Sequence, residues 1–290
     1  MISYPKNVAL GLSVMSCSFA VGSGWVSILG YLLLDLMGWR NYILFVSIPW
    51  FIPPIFMFHM FLTPKFETDM LKEKENSRIV APEVSLPKHT FLIRLAKLSI
   101  VKSILMFNGS GIILLLPALL RATKLADAGP TERCEGAVGG TEFLIMAGIT
   151  GGVNTLARST SLPLFRKFNF RPLMTTLAAA ITASFGTLTV WDVYHDSPNL
   201  ALVIVTISVI IAAWSIMLNE VIIFIHAPGT FGFASTQLAT AIVWGMSSVG
   251  IALGNGVALF LVPQSAVLVN LVVSILLICS VLSITERDTN

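Results

Sequence analysis

The chain has 290 residues, 55% of them hydrophobic and only 11% charged, with a mean hydropathy of +0.84. Soluble domains carry about 25% charged residues, so a water-soluble enzyme of this size is excluded for want of polar side chains to cover it. Nucleic-acid binding is excluded by a balance of 18 Lys+Arg against 15 Asp+Glu with no basic stripe. The expectation is an all-α integral membrane protein in contact with the lipid bilayer.

Crossing about 30 Å of hydrocarbon takes about 20 apolar residues in a helix. Charge-free runs place spanning helices at 8–36, 41–63, 100–121, 142–163, 172–191, 199–225, 230–254 and 264–284, eight in all. The fourth runs past Arg158, whose side chain is expected to snorkel toward the head groups. The uncharged stretch from Val221 to Thr285 is too long for one helix. Breaks are expected at His226-Ala227-Pro228-Gly229, near Asn255-Gly256 and at Pro263-Gln264. The apolar stretch after Lys6 is too long for a signal-peptide core and lacks a small-residue cleavage site, so it reads as a first spanning helix.

Polar segments organise these helices. Residues 1–63 form a helix pair, 64–99 a linker, and 100–290 a six-helix set. The linker opens with the mixed-charge run Lys72-Glu73-Lys74-Glu75 and ends in an amphipathic stretch from Thr90 to Leu98. There Phe91, Leu95 and Leu98 share a face, and Arg94 and Lys97 are placed to meet head groups. A cytoplasmic N-terminus puts 14 Lys/Arg on the inner side and 4 (Arg40, Arg121, Lys124, Arg133) on the outer. By the positive-inside rule both termini are cytoplasmic.

Few polar residues stand inside the apolar runs. Glu220, beside Asn219, is the sharpest, since an acid at mid-bilayer costs roughly 2.5–3.5 kcal/mol and usually faces an interior or a cavity. It reads as a cation or proton site on a transport path, or as an acid that snorkels to the interface or bonds to Asn219 or His226. Asp35 reads as a helix-end charge beside Trp39 and Arg40. His59 and His226 read as interfacial anchors or proton relays. Gly148-x-x-x-Gly152 and Gly250-x-x-x-Gly254 read as seams of close helix packing. Cys17, Cys134 and Cys279 are too few and scattered for a disulfide framework or a zinc site. No hydrolase, phosphate-binding or metal motif is present, so neither enzyme activity, a cofactor nor a metal is expected.

Several local patterns resemble the major facilitator superfamily from its fifth helix onward. Gly38-Trp39-Arg40, with an apolar helix ending in Leu62-Thr63-Pro64, is similar to the sixth helix. Phe107-Asn108-Gly109-Ser110-Gly111 resembles the seventh helix in the synaptic vesicle 2-related and organic cation/anion transporter group. Leu164 to Pro172 stands where the family has its loop between helices eight and nine, and Pro228-Gly229-Thr230 where it has a motif before helix eleven. Both motifs are altered. The family acid falls on Arg166 and its glycine on Asn169, a residue that tolerates a left-handed backbone. Before helix eleven the family Glu falls on Ile225 and its Arg on Gly232.

The resemblance implies transport of a small organic solute, an organic ion or sugar-like molecule, by alternating access. It places Asn108, Trp214, Gln237 and Trp244 with Glu220 at the solute path, and Arg166, Lys167, Asn169, Arg171 and Pro228 at the cytoplasmic gate. It leaves the plasma membrane and a vesicle membrane equally open. The family's first four helices have no counterpart here. The chain is then a shortened form, a partner of a second chain that supplies them, or a non-transporting relative that binds or scaffolds.

Overall fold

The computed structural model describes residues 87–124, 148–190, 197–231 and 233–284, together with Ile145 and scattered positions between 22 and 48. Among the described residues the fold is all-α. Its elements are α1 (Lys88–Lys124), a π-helical segment π1 (Gly148–Val153), α2 (Asn154–Lys167), α3 (Phe170–Thr189), α4 (Pro198–Phe231), α5 (Phe233–Phe260) and α6 (Pro263–Leu282). Four stretches of the described residues are long and apolar enough to cross a membrane: Lys88–Leu120, Asn199–Ala227, Leu238–Phe260 and Pro263–Leu282. Ile207, Leu253, Val272 and Leu276 point outward and exposed, as lipid-facing side chains do.

Several helices run further than the charge-free runs suggest. α1 starts at Lys88, so the amphipathic stretch from Thr90 to Leu98 is the first part of a 37-residue helix. Leu95 and Leu98 enter the core, with Phe91 packed against it. α4 continues through Pro228 and Gly229 to Phe231, and α5 through Asn255 and Gly256 to Phe260. Proline and glycine break helices readily in water, but inside a bundle neighbouring groups re-satisfy the freed backbone. The break at Pro263 is real: Pro263 opens α6, where its missing N–H has no intrahelical partner to lose. Thr175, Thr176, Thr182 and Thr187 of α3 donate to carbonyls four residues back, which keeps their hydroxyls bonded.

Two glycine positions fix the packing of α1. A Cβ on Gly250 would fall on the Ser103 carbonyl, and one on Gly254 on the Phe107 carbonyl and the Ser110 hydroxyl. The 250–254 seam read from the sequence is therefore where α5 lies backbone to backbone on α1, the two running parallel. The 148–152 pair is different. It lies in π1, and both glycines face open space. Gly38 has φ 72°, the left-handed backbone that glycine takes at little cost, just ahead of the helical residues 40–48.

α4 runs antiparallel to α1. Phe91 meets Phe231 edge-on at 5.5 Å, Arg94 donates to the Thr230 carbonyl at 3.2 Å, Lys102 meets Glu220, and Gly109 lies beside Ile216. α2 runs parallel to α4, pairing Arg158 with Glu220 and Phe165 with His226. The result is a core in which α4 touches α1, α2 and α3 along its length.

Candidate functional site

Glu220 is the centre of a buried charged cluster. Its Oε1 accepts from Lys102 Nζ at 2.9 Å and its Oε2 from Arg158 Nη2 at 3.2 Å. Lys102 is 2% exposed, Glu220 6% and Arg158 8%. Arg158 Nε also donates to Asn154 Oδ1 at 2.6 Å, one helical turn back on α2. Lys102 Nζ lies 4.7 Å from the ring centroid of Trp244, and Trp244 meets Phe224 edge-on at 6.0 Å. Side chains from α1 and α2 thus meet the α4 carboxylate, and α5 adds Trp244 beside Lys102.

Each partner is delivered by its helix. Lys102 stands on the α1 face that carries Gly109 toward α4, seven residues or two turns apart. Asn154 is the first residue of α2, directly after π1. A π turn holds one more residue than an α turn and so rotates the helix beyond it, a device often found beside functional groups. Phe224, one turn after Glu220, brings its ring to the same side of α4.

These contacts change the reading of three charges. Arg158 does not snorkel; it is buried against Glu220. Glu220 is paired with cations from two other helices, and neither Asn219 nor His226 is the partner these bonds give it. Arg94 is 8% exposed and bonded to α4, so it does not face head groups. An ion in apolar surroundings is stabilised far more by an opposite charge at 3 Å than by reaching for distant solvent.

The other sequence candidates scatter. Trp244 belongs to the cluster and is 44% exposed. Trp214 is partly buried and packs on the hydrophobic core, six residues from Glu220 and so about 120° around α4. Asn108 is also about 120° around its helix from Lys102 and fully buried, and both its amide atoms lack a described partner. Asn219 and Ser215 of α4 are buried in the same state. Gln237 is helical in α5, with its side chain outside the described residues.

At the expected gate, Arg166, Lys167 and Asn169 are exposed, and Lys167 lies 5.6 Å over the Phe168 ring. Arg171 donates to the Leu282 carbonyl at the end of α6, at 3.0 Å. Asn169 has φ −65° and ψ 148°, an extended backbone preceding α3 rather than a left-handed turn. Pro228 falls within α4 and not in a loop before the next helix, its side chain outside the described residues. His226 is buried, stacked on Phe170 at 3.9 Å with Phe165 edge-on at 6.1 Å, so it is a core aromatic rather than an interfacial anchor. Asp35, Trp39, His59, Cys17 and Cys134 lie outside the described residues, and Cys279 is an exposed free thiol on α6.

Lys102, Asn154 and Phe224 do not stand out in the sequence. Lys102 sits at the boundary of a charge-free run, where a lysine reads as interfacial. The available signal is arithmetical: a buried acid needs a cation at its own depth, and Lys102 and Arg158 are the basic residues closest to the middle of their helices.

Among the described residues the protein is all-α, with four helices long and apolar enough to cross a membrane and a buried ion cluster shared by three helices. No protein-family profile, curated protein or solved structure matches it.

Proposed function

We propose that this is a multi-pass membrane transporter of a small organic solute, with the Lys102–Glu220–Arg158 cluster as the centre that recognises it. The single observation behind this reading is a buried carboxylate held by cations from two other helices, with an α5 ring over one of them, deep in an apolar bundle. Charged groups at that depth are expensive, and in membrane proteins they mark solute and ion paths. Replacing a buried ion pair with apolar residues of similar volume is often neutral or stabilising, so stability alone does not account for it. Eight spans, both termini cytoplasmic, and an arrangement like that of the major facilitator superfamily complete the proposal. In it, the six-helix set of residues 100–290 rocks against the helix pair expected over residues 1–63, opening the centre to each side in turn. Asn108, Trp214 and Gln237 are secondary contacts in this reading, and the residues from Arg166 to Arg171 flank the cytoplasmic entrance.

Uptake of radiolabelled organic cations, organic anions and sugars into cells expressing the tagged chain tests this, beside Glu220→Gln delivered to the same membrane. Uptake above background that is lost in the variant is the expected result. Well-delivered protein that moves none of the three classes overturns it in favour of a non-transporting binding or scaffold protein.

A further inference from the structure

Lys102 is held as a ligand would be. Its ammonium has a carboxylate oxygen at 2.9 Å on one side and the Trp244 ring centroid at 4.7 Å on another, with the Phe224 ring edge-on to Trp244. A carboxylate with an aromatic face is the arrangement that binds alkylammonium groups, by Coulomb attraction and by the ring quadrupole. Glu220 keeps Arg158 on its other oxygen, so it remains anchored when Lys102 moves away. Trp244 is 44% exposed, which opens the cage on the α5 side, while Lys102 itself is 2% exposed. The lysine stem is a flexible four-carbon chain, able to withdraw its charge without moving α1.

We infer that Glu220, Trp244 and Phe224 form a binding site for a solute's alkylammonium group, and that Lys102 is its tethered competitor, occupying the site until the solute displaces it. The inference rests on the four-helix cluster being the solute centre, and it names the solute class: a small organic amine or quaternary ammonium compound. Arg158 serves as the positioning residue that holds the carboxylate between the two cations.

The test is binding to the purified full chain in detergent micelles, by titration calorimetry, with n-butylammonium as probe and butan-1-ol and butyrate as controls. n-Butylammonium carries the ammonium and the three carbons that Lys102→Ala removes, with one carbon more. That variant is expected to bind it at least about tenfold more tightly than the wild type, because the competitor is gone. Adding Glu220→Gln to Lys102→Ala abolishes the gain. In the wild type, n-butylammonium binds at millimolar concentration, and Trp244→Leu weakens it about fivefold through loss of the ring face. Trp244 is half exposed, so this variant keeps the question open to measurement if Lys102→Ala does not fold. A folded Lys102→Ala that binds n-butylammonium no better than the wild type, or that binds butan-1-ol equally well, overturns the site. Equal binding by wild type and Trp244→Leu does the same. Binding without uptake of any amine leaves the site standing and removes the transport reading. Uptake of an anion or sugar, without ammonium binding, does the reverse.

Discussion

α1 meets α5 and α4 in opposite ways. Against α5 it presents bare backbone: the Ser103 and Phe107 carbonyls lie where the side chains of Gly250 and Gly254 would be. Against α4 it presents a charge, Lys102 on Glu220. The first contact is explained by packing, because small residues let helices approach and gain dispersion contacts where lipid offers no hydrophobic drive. The second is not, since leucine or methionine would fill that space with no desolvation penalty. One helix therefore carries a seam that holds the bundle together and another whose composition packing does not explain, and which the proposed function assigns to recognition.

The largest expected effect falls on the glycine seam. Gly254→Leu forces α1 and α5 apart along their length, and the yield of monodisperse protein on size-exclusion chromatography should collapse. A Gly254→Leu chain that purifies and melts like the wild type would break the distinction between the seams. Next comes Glu220→Ala, which leaves Lys102 and Arg158 buried without their shared carboxylate, at a cost of about 3–5 kcal/mol. Thermal unfolding in detergent should show a marked loss. Lys102→Met combined with Glu220→Gln should recover part of it, because the amide still accepts from Arg158 and Arg158 alone, not Lys102 as well, is left without a carboxylate.

Smaller effects sharpen the contrast from the other side. Asn108 is fully buried with no partner for its amide among the described residues, so Asn108→Leu should be neutral or mildly stabilising, within about 1 kcal/mol. A large loss of stability would mean that this amide has a bonded partner in the membrane. Arg166→Ala and Lys167→Ala, on an exposed turn, should change stability by less than about 0.5 kcal/mol in the same assay.

The same two seams show what a sequence carries and what it does not. Gly250 and Gly254 are legible because their four-residue spacing is itself the local device that admits a neighbour. Glu220 is legible because an acid inside an uncharged run is anomalous wherever its partner lies. Its partners stand 118 and 62 residues away, and nothing local to Lys102 or Arg158 marks which acid they meet. Helix ends are least legible. Pro228 and Gly229 carry the composition of a break, yet α4 passes through both, because the bundle supplies what the local sequence withholds. Of the aromatic and amide residues expected beside Glu220, Trp244 joins its cluster. Asn108 and Trp214 do not, because their helical phase turns them about 120° away from Lys102 and Glu220.

Whether the Lys102–Glu220 pair serves recognition or folding is tested most directly by solute uptake into proteoliposomes. These would contain the Lys102→Met/Glu220→Gln chain at a protein density matched to the wild type. A pair that serves recognition predicts a folded, monodisperse chain that moves no solute above the protein-free background. Uptake at the wild-type rate by that uncharged pair would contradict it, and would return the cluster to the same structural class as the glycine seam.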